Sequence, residues 1–245
     1  MRDLTMADRL RNAGLVVEEQ PGWQTRGSAL FAPRAVMWHH TASAMGKNLP
    51  SLNIVTNGRA DLAGPLCHVL TGRDNCNVVI AAGRANHAGA GRWNGSSVGN
   101  SGYWGIEVEN VGTVAEPWRP DQLQNVAEVT AALISYNPAL VADCCMHKEW
   151  APTRKVDMHT ISGNEMRARV MQLCIGTPPT PPLPVHTYCK DAPMFMISEG
   201  LGLFLLVNGN VCQFGTPQEF NKARESAPTI PTVVLPIPQA KALIG

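Results

Sequence analysis

A proline-rich segment divides this chain into two parts of unequal length. Residues 176–184 have the sequence GTPPTPPLP, with five prolines in nine positions. Proline fixes φ and lacks a backbone donor, so such a run favours extended polyproline geometry over a packed element. Because a spacer of this kind separates folded units, we predict a domain over residues 1–175, a linker over 176–184 and a small module over 185–245.

Apolar runs alternate with helical periodicity before the linker. The predicted strands cover residues 35–39, 67–71, 77–82, 103–108 and 143–147. The predicted helices run from Thr5 to Asn12, from Ser51 to Asn57, from Pro120 towards Asn137, and onward from a Ser162–Glu165 capping box. This order indicates an α/β domain with a mixed central β-sheet flanked by helices.

The residues after the linker predict a small α+β module. Strands are expected over residues 194–197, 203–207, 211–214 and 232–235. Asn208-Gly209 is a strong hairpin turn between two of them. Thr216 and Glu219 have the spacing of a capping box, which predicts a helix between the last two strands.

Two histidine-bearing segments carry the most informative side chains. His39 and His40 follow the apolar run Ala35–Trp38, and a later segment from His147 to Asp157 adds an imidazole and a carboxylate. Two histidines and one carboxylate form a ligand set that binds zinc and leaves a fourth position open. Either segment alone is weak evidence for a metal site, because a lone histidine is more often a hydrogen-bonded core or surface residue than a ligand.

A third segment, WGIEVEN at residues 104–110, lies between these two. With VMWHHTAS and HKEWAPTRKVD it resembles the three motifs of the zinc-dependent N-acetylmuramoyl-L-alanine amidases, in the type-2 amidase and peptidoglycan-recognition-protein superfamily. The resemblance covers about Pro21 to about Cys174. The matched stretch, which includes the segment AAGRANHAGAGRW, is most similar to endolysin amidase modules from phages of actinobacteria. This resemblance implies the amidase fold.

The resemblance implies a zinc site and two accessory residues. His39, His147 and Asp157 would be the zinc ligands, where many relatives have cysteine at the third position. Glu107 would be the general base and Lys155 would face the developing oxyanion. The alternative is that these residues have only structural roles. His39 would then only end a strand, Asp157 would pair with Lys155, and Glu107 would be a buried carboxylate hydrogen-bonded to the backbone.

Two neighbouring pairs are ambiguous from the sequence. His39 and His40 point to opposite faces of a strand, so only one reaches the metal, and we expect His40 to pack behind the site. Glu107 and Glu109 share a face by the period of two. The resemblance favours Glu107 as the base.

Three further side chains are predicted to bind substrate. His87 and His68 fall on segments that border the cleft in relatives, with core packing as the alternative for each. Trp93 offers a flat surface for a sugar ring, as Trp104 would, although buried packing is the more common outcome for tryptophan. Several relatives carry tyrosine where this chain has Cys67, so a role for that phenol is absent here.

Charge and hydropathy exclude some classes of function. The formal net charge is +1 and the pI about 7.6, which predicts no nucleic-acid partner. The apolar run at residues 203–207 is too short to span a bilayer, so no stable membrane insertion is expected. The first nine residues lack the apolar run of a signal peptide. We therefore expect synthesis in a host cytoplasm, mostly reduced cysteines, and release to the wall through a holin.

These observations predict a hydrolase of bacterial peptidoglycan. The bond cut would join N-acetylmuramic acid to L-alanine, and the setting would be host lysis by a phage endolysin. Two alternatives stay open: a module that binds peptidoglycan without cleaving it, and a cytosolic amidase that recycles muropeptides. The sequence leaves the oligomeric state undetermined.

Overall fold

The structure, a computed structural model, describes residues 1–176 and the strands Met194–Ser198, Gly202–Val207, Asn210–Phe214 and Thr232–Val234. The chain divides into two compact units, residues 1–182 and 183–245. The predicted linker after Gly176 and the predicted helix at Thr216 lie outside the described residues. The domain boundaries therefore stay predictions.

Within residues 1–176, the described part of the first unit, there are eight strands and a series of short and long helices. The strands are β1 Val17–Glu19, β2 Ala35–His40, β3 Gly58–Arg59, β4 Leu62–Ala63, β5 Val69–Thr71, β6 Asn77–Val79, β7 Tyr103–Val108 and β8 Cys145–Met146. The α-helices are α1 Met6–Asn12, α2 Leu52–Asn57, α3 Gly99–Gly102, α4 Pro120–Leu133, α5 His147–Trp150 and α6 Gly163–Gly176, and a 3₁₀ helix covers Pro138–Asp143.

The main sheet has the order β1-β6-β5-β7-β2-β8, and β3 and β4 form a two-stranded sheet. Only β5 and β6 are antiparallel neighbours in the main sheet, while its other adjacent pairs are parallel. The predicted mixed sheet is therefore confirmed. Its central strands β2 and β7 run in register from Ala35 opposite Tyr103 to His40 opposite Val108.

Helices cover both faces of this sheet. Val69 and Val79 belong to the core cluster that includes residues of α1, α4 and α6. Leu70, which follows Val69, and Val78, which precedes Val79, belong to a second cluster that includes Val55 of α2. Neighbouring strand residues thus serve opposite cores, as the period of two requires. The flanking helices of the predicted fold class are confirmed.

Several predicted boundaries differ from the structure. The strand expected over 143–147 is limited to Cys145–Met146, and His147 is instead the first residue of α5. Thr5 precedes α1, but its hydroxyl donates to Asp3 rather than capping the helix. Ser162 does cap α6, because its Oγ accepts from the backbone N of Glu165 at 3.1 Å.

The described strands of the second unit form a separate sheet. β9 Met194–Ser198, β10 Gly202–Val207, β11 Asn210–Phe214 and β12 Thr232–Val234 lie in the order β11-β10-β9-β12. β10 pairs antiparallel with β11 and with β9, while β12 runs parallel to β9. The four predicted strands are confirmed. No helix within the described ranges is long and apolar enough to cross a membrane.

Candidate functional site

Three separate elements bring His39, His147 and Asp157 together. His39 is next to the last residue of β2, and His147 directly follows β8, the neighbouring parallel strand. Asp157 lies in the loop after α5, and its backbone carbonyl accepts from the amide of Lys148 at 2.8 Å. This hydrogen bond closes the loop and brings the Asp157 carboxylate back to the imidazole of His147.

The three side chains converge through one atom each. Nδ1 of His39 is 2.8 Å from Nδ1 of His147 and 3.2 Å from Oδ2 of Asp157. The His147 Nδ1 is 2.9 Å from the same carboxylate oxygen. Tetrahedral zinc would hold such atoms about 3.3 Å apart, so the triangle is close to that size. All three side chains are buried.

The hydrogen bond of His147 with a carbonyl tests whether this cluster suits a cation. Nε2 of His147 lies 2.9 Å from the carbonyl oxygen of Ala88. A carbonyl only accepts, so Nε2 carries a proton, and in the neutral tautomer with this proton Nδ1 presents a lone pair. That nitrogen faces the Asp157 oxygen. A cation held between the lone pair and the carboxylate would remove the repulsion between two acceptors.

The charge states of the cluster also fit a divalent metal. Burial, followed by the nearby His147, lowers the pKa of His39 to about 4, so this ring is neutral at pH 7. Burial alone would raise the pKa of the Asp157 carboxyl, but its contacts with the imidazoles of His147 and His39 lower it overall. Neutral imidazoles with one carboxylate are a ligand set that zinc accepts.

Glu107 lies beside this cluster and has an unpartnered carboxylate oxygen. It is opposite His39 in the register of β7 and β2, so both residues lie near the carboxyl-terminal ends of these two parallel strands. Its Oε2 is buried and has no hydrogen-bond partner in the part of the chain that the structure describes. Burial raises the pKa of Glu107 well above its usual value, and the negative charge of Asp157 raises it further.

Glu109 has the opposite surroundings. It lies just after β7, is fully buried, and accepts hydrogen bonds from the hydroxyls of Thr41 and Ser43. The backbone amide of Ser51 donates to it at 2.8 Å, and Arg73 lies 3.8 Å away. Glu109 therefore anchors residues 41–51, whereas the less constrained carboxylate beside the cluster of His39, His147 and Asp157 is Glu107.

The two lysines of the last motif have different environments. Lys155 is half-buried, and its positive charge lowers the pKa of both Glu107 and His39, which places it near the site. The ammonium of Lys148 donates to the carbonyls of Met158 and Ile161, each at 2.6 Å. Lys148 thus holds the chain that follows Asp157. Sequence reasoning gave it no role, because nothing local distinguishes it from a surface lysine.

His40 lies behind the cluster of His39, His147 and Asp157, as its strand position predicts. Its Nδ1 accepts from the backbone amide of His159 at 3.2 Å. The carbonyl of His159 in turn accepts from the indole of Trp118 at 2.6 Å. His40 therefore supports the loop that contains Asp157 rather than contributing to the cluster of donor atoms.

Two histidines predicted to bind substrate lie in the interior. His68 is fully buried, stacks on Phe31 with ring centroids 4.4 Å apart, and accepts from the amide of Gly105 at 2.8 Å. This burial does not fit a direct contact with substrate. His87 lies closer to the cluster: its Nδ1 is 3.0 Å from Nε2 of His39.

The tryptophans lie against the protein core. Trp104 is only 2% exposed and its indole donates to Asp3 at 3.0 Å, so the expectation that it stacks on a sugar is wrong. Trp93 packs partly against the core, with the Arg167 guanidinium 4.9 Å from its ring centroid. Its contact with substrate stays a prediction. Cys67 is fully buried among apolar residues.

Arg154 is a further residue that sequence reasoning did not single out. Its guanidinium donates to the carbonyls of Ala88 at 3.0 Å and Ala90 at 2.7 Å. The carbonyl of Ala88 is also the partner of His147. Arg154 therefore ties the loop at residues 88–90 to the segment that contains Asp157. Its place in the motif TRKVD was the available signal.

Comparisons with known proteins agree with this arrangement. The family described as N-acetylmuramoyl-L-alanine amidase matches residues 30–160, which is more than half of the chain and includes all three motifs. No curated protein matches the chain significantly.

Solved structures are similar at low sequence identity. A selenomethionine derivative of AmpD is 24% identical with a TM-score of 0.50, covering 64% of this chain and 94% of its own. The endolysin LysCS from Clostridium intestinale URNW is 19% identical over 63% and 94% of the two chains, with a TM-score of 0.46. AmiD from E. coli is 22% identical over 63% and 65%, with a TM-score of 0.42. The AmpD likeness shows a shared fold, and the match over residues 30–160 shows that the chain belongs to the N-acetylmuramoyl-L-alanine amidase family.

Proposed function

We propose that this protein is a zinc-dependent amidase that hydrolyses the bond between N-acetylmuramic acid and L-alanine in bacterial peptidoglycan. The observation that carries the proposal is the convergence of His39, His147 and Asp157 within the part of the chain that matches the family. A carboxylate with a raised pKa lies next to them at Glu107. A module that only binds peptidoglycan would have no need for this full set of groups.

The zinc ion would be held by Nδ1 of His39, Nδ1 of His147 and Oδ2 of Asp157. When bound, zinc supplies Lewis-acid polarisation and makes water a better nucleophile at neutral pH. The three side chains are buried, and the two imidazoles are held by hydrogen bonds of their Nε2 atoms with His87 and with the carbonyl of Ala88, so the site would be organised before metal arrives. This arrangement reduces the reorganisation that metal binding would otherwise require.

Glu107 would move the proton during hydrolysis. Its carboxylate takes a proton from the attacking water as the oxygen adds to the muramoyl carbonyl carbon. The same proton then passes to the alanine nitrogen as the carbon–nitrogen bond breaks, which yields a free carboxylate and a free amine. A raised pKa favours both halves of this transfer, because proton uptake is strongest when the pKa of the base approaches the working pH.

Lys155 would stabilise negative charge on the carbonyl oxygen during the addition. Its side chain is half-buried, and its charge acts on Glu107 and His39. A cation in such a site is most effective where charge develops only in the transition state. Its removal would therefore affect turnover more than the amount of metal bound.

We propose host lysis by a phage endolysin as the setting. The motif resemblance and the presence of a second folded unit support this setting, because a soluble muropeptide would need no additional wall-directed module. Release through a holin would then bring the enzyme to the wall. A cytosolic recycling amidase is the competing function, and it would act on soluble fragments in preference to intact walls.

The test measures zinc content and the release of L-alanine amino termini from purified walls. We expect one zinc per chain, and we expect His147→Ala to lose metal and activity together. His159→Ala is the matched control, because the bonds of His159 to His40 and Trp118 use its backbone. Full activity in a metal-free preparation would refute the zinc assignment.

A second measurement distinguishes the two biological settings. Rates on intact walls and on soluble muropeptides are compared at equal enzyme concentration, and expression with and without a holin is followed by culture turbidity. An endolysin would act on intact walls and clear the culture only when the holin is present. Preference for soluble fragments without holin-dependent clearing would favour the recycling amidase.

A further inference from the structure

A chain of hydrogen bonds leads from a backbone carbonyl to the proposed metal ligand His39. Nε2 of His87 lies 3.1 Å from the carbonyl oxygen of Tyr103. Nδ1 of the same ring lies 3.0 Å from Nε2 of His39. Nδ1 of His39 then faces His147 and Asp157.

The Tyr103 carbonyl, at the start of this series, sets the direction of each hydrogen bond in it. Because the Tyr103 oxygen can only accept, the proton of a neutral His87 lies on Nε2, and its Nδ1 is an acceptor. Nε2 of His39 must therefore donate to His87. The remaining nitrogen of His39, Nδ1, is left with its lone pair directed at the cluster.

We propose that His87 is a positioning residue that fixes the tautomer and the ring orientation of His39. This inference rests on the proposed function, because it treats His39 as a metal ligand. With the other tautomer, His39 would direct an N–H at the cluster and could not bind a metal through Nδ1. Outer-shell partners of ligating histidines commonly have this effect.

The surroundings of His87 hold its ring in place. The side-chain oxygen of Asn100 accepts from the amides of His87 at 3.0 Å and Ala88 at 2.7 Å. Gly105 provides the space for the ring, because a Cβ at this position would be 2.7 Å from both Cγ and Nδ1 of His87. The glycine of the WGIE segment thus permits an imidazole to lie against β7.

The next residue performs the equivalent task for the second histidine ligand. The carbonyl of Ala88 accepts from Nε2 of His147 at 2.9 Å, which leaves Nδ1 of that ring free for the cluster. The dipeptide His87-Ala88 therefore directs both imidazoles. Since both ring nitrogens of His87 are engaged, positioning explains this side chain better than the predicted contact with substrate.

The first test measures zinc affinity by competition with a chelator in His87→Asn and His87→Leu. The asparagine oxygen can replace Nδ1 as the acceptor for His39, whereas leucine removes the acceptor. We expect about 10- to 100-fold weaker zinc binding for leucine and near-normal binding for asparagine. Unchanged affinity in the leucine variant, or equal weakening in both variants, would overturn the proposal.

The second test needs no variant of His87 and survives if the leucine variant does not fold. Nitrogen-15 NMR of the histidine-labelled, metal-free protein reports which ring nitrogen of His39 carries hydrogen. We expect the proton on Nε2, and a proton predominantly on Nδ1 would overturn the proposal. If the unaltered protein binds no zinc, the proposed function fails, yet this tautomer still tests the role of His87.

Discussion

Exchanging each of two nearby carboxylates for an amide separates catalysis from stability. Glu107→Gln changes a half-buried group whose Oε2 has no hydrogen-bond partner among the described residues. Glu109→Gln changes a buried group that accepts from Thr41, Ser43 and Ser51. The two substitutions are chemically identical, so each is the matched control for the other.

The structure predicts opposite effects on two measured quantities. Loss of the general base at Glu107 should lower kcat by about 10²- to 10⁴-fold, which raises the barrier by about 3–5 kcal/mol. Burial makes the ionised Glu107 unfavourable in the folded state, so the amide should leave the Tm of metal-free protein unchanged or higher. Glu109→Gln should lose about 2 kcal/mol of unfolding free energy, which lowers Tm by about 4–8 °C.

The assay combines initial rates of amine release from walls with thermal unfolding of the metal-free proteins. Zinc content is measured in both variants to separate loss of the base from loss of metal. The reasoning fails if Glu109→Gln is the slower enzyme, or if Glu107→Gln is the less stable protein. Either result would mean that the roles of the two carboxylates are exchanged.

Three further predictions concern other parts of the molecule. Lys155→Ala should lower kcat by at least about 10-fold with zinc content unchanged; parallel loss of zinc would contradict a role in charge stabilisation. Burial lowers the pKa of His68 to about 3 from 6.5, so protonation of the unfolded chain should cost up to about 1.4 kcal/mol of stability per pH unit as the pH falls from 6.5 to about 3. His68→Asn keeps an acceptor for Gly105 and should remove this component of the pH dependence in chemical unfolding; an unchanged slope would refute it. A chain ending at Gly176, the last residue of α6, should cleave soluble muropeptides normally but walls more slowly, because the tether to an insoluble substrate is lost; equal rates on walls would exclude a targeting role for residues 185–245.

Local sequence patterns were sufficient to predict the main elements that hold the site. The buried run at residues 35–39 and the run at 103–108 became β2 and β7, and Pro120 begins α4. These features depend on propensity and periodicity within a few residues, which a sequence displays directly. The order of the three motifs also led to the family, and the match over residues 30–160 agrees with it.

The contacts that distinguish similar side chains came only from the tertiary structure. The period of two places Glu107 and Glu109 on the same strand face and does not distinguish them. In the structure, residues 41–51 lie over Glu109 and supply its hydrogen bonds. His68 and His87 had the same predicted role, yet one stacks on Phe31 and the other contacts His39. No local signal reports which distant segment will approach a given side chain.

The sequence by itself thus determined which residue types stand at the ends of the central strands and in the later loop. Tertiary structure decided which atoms meet: His39 contacts His87 across 48 positions, His147 across 108 and Asp157 across 118. Strand register places β2 and β7 side by side, and the loop from His147 to Asp157 closes through Lys148. The direction of each hydrogen bond depends on these long-range contacts, because a carbonyl can orient an imidazole only after folding has brought the two together.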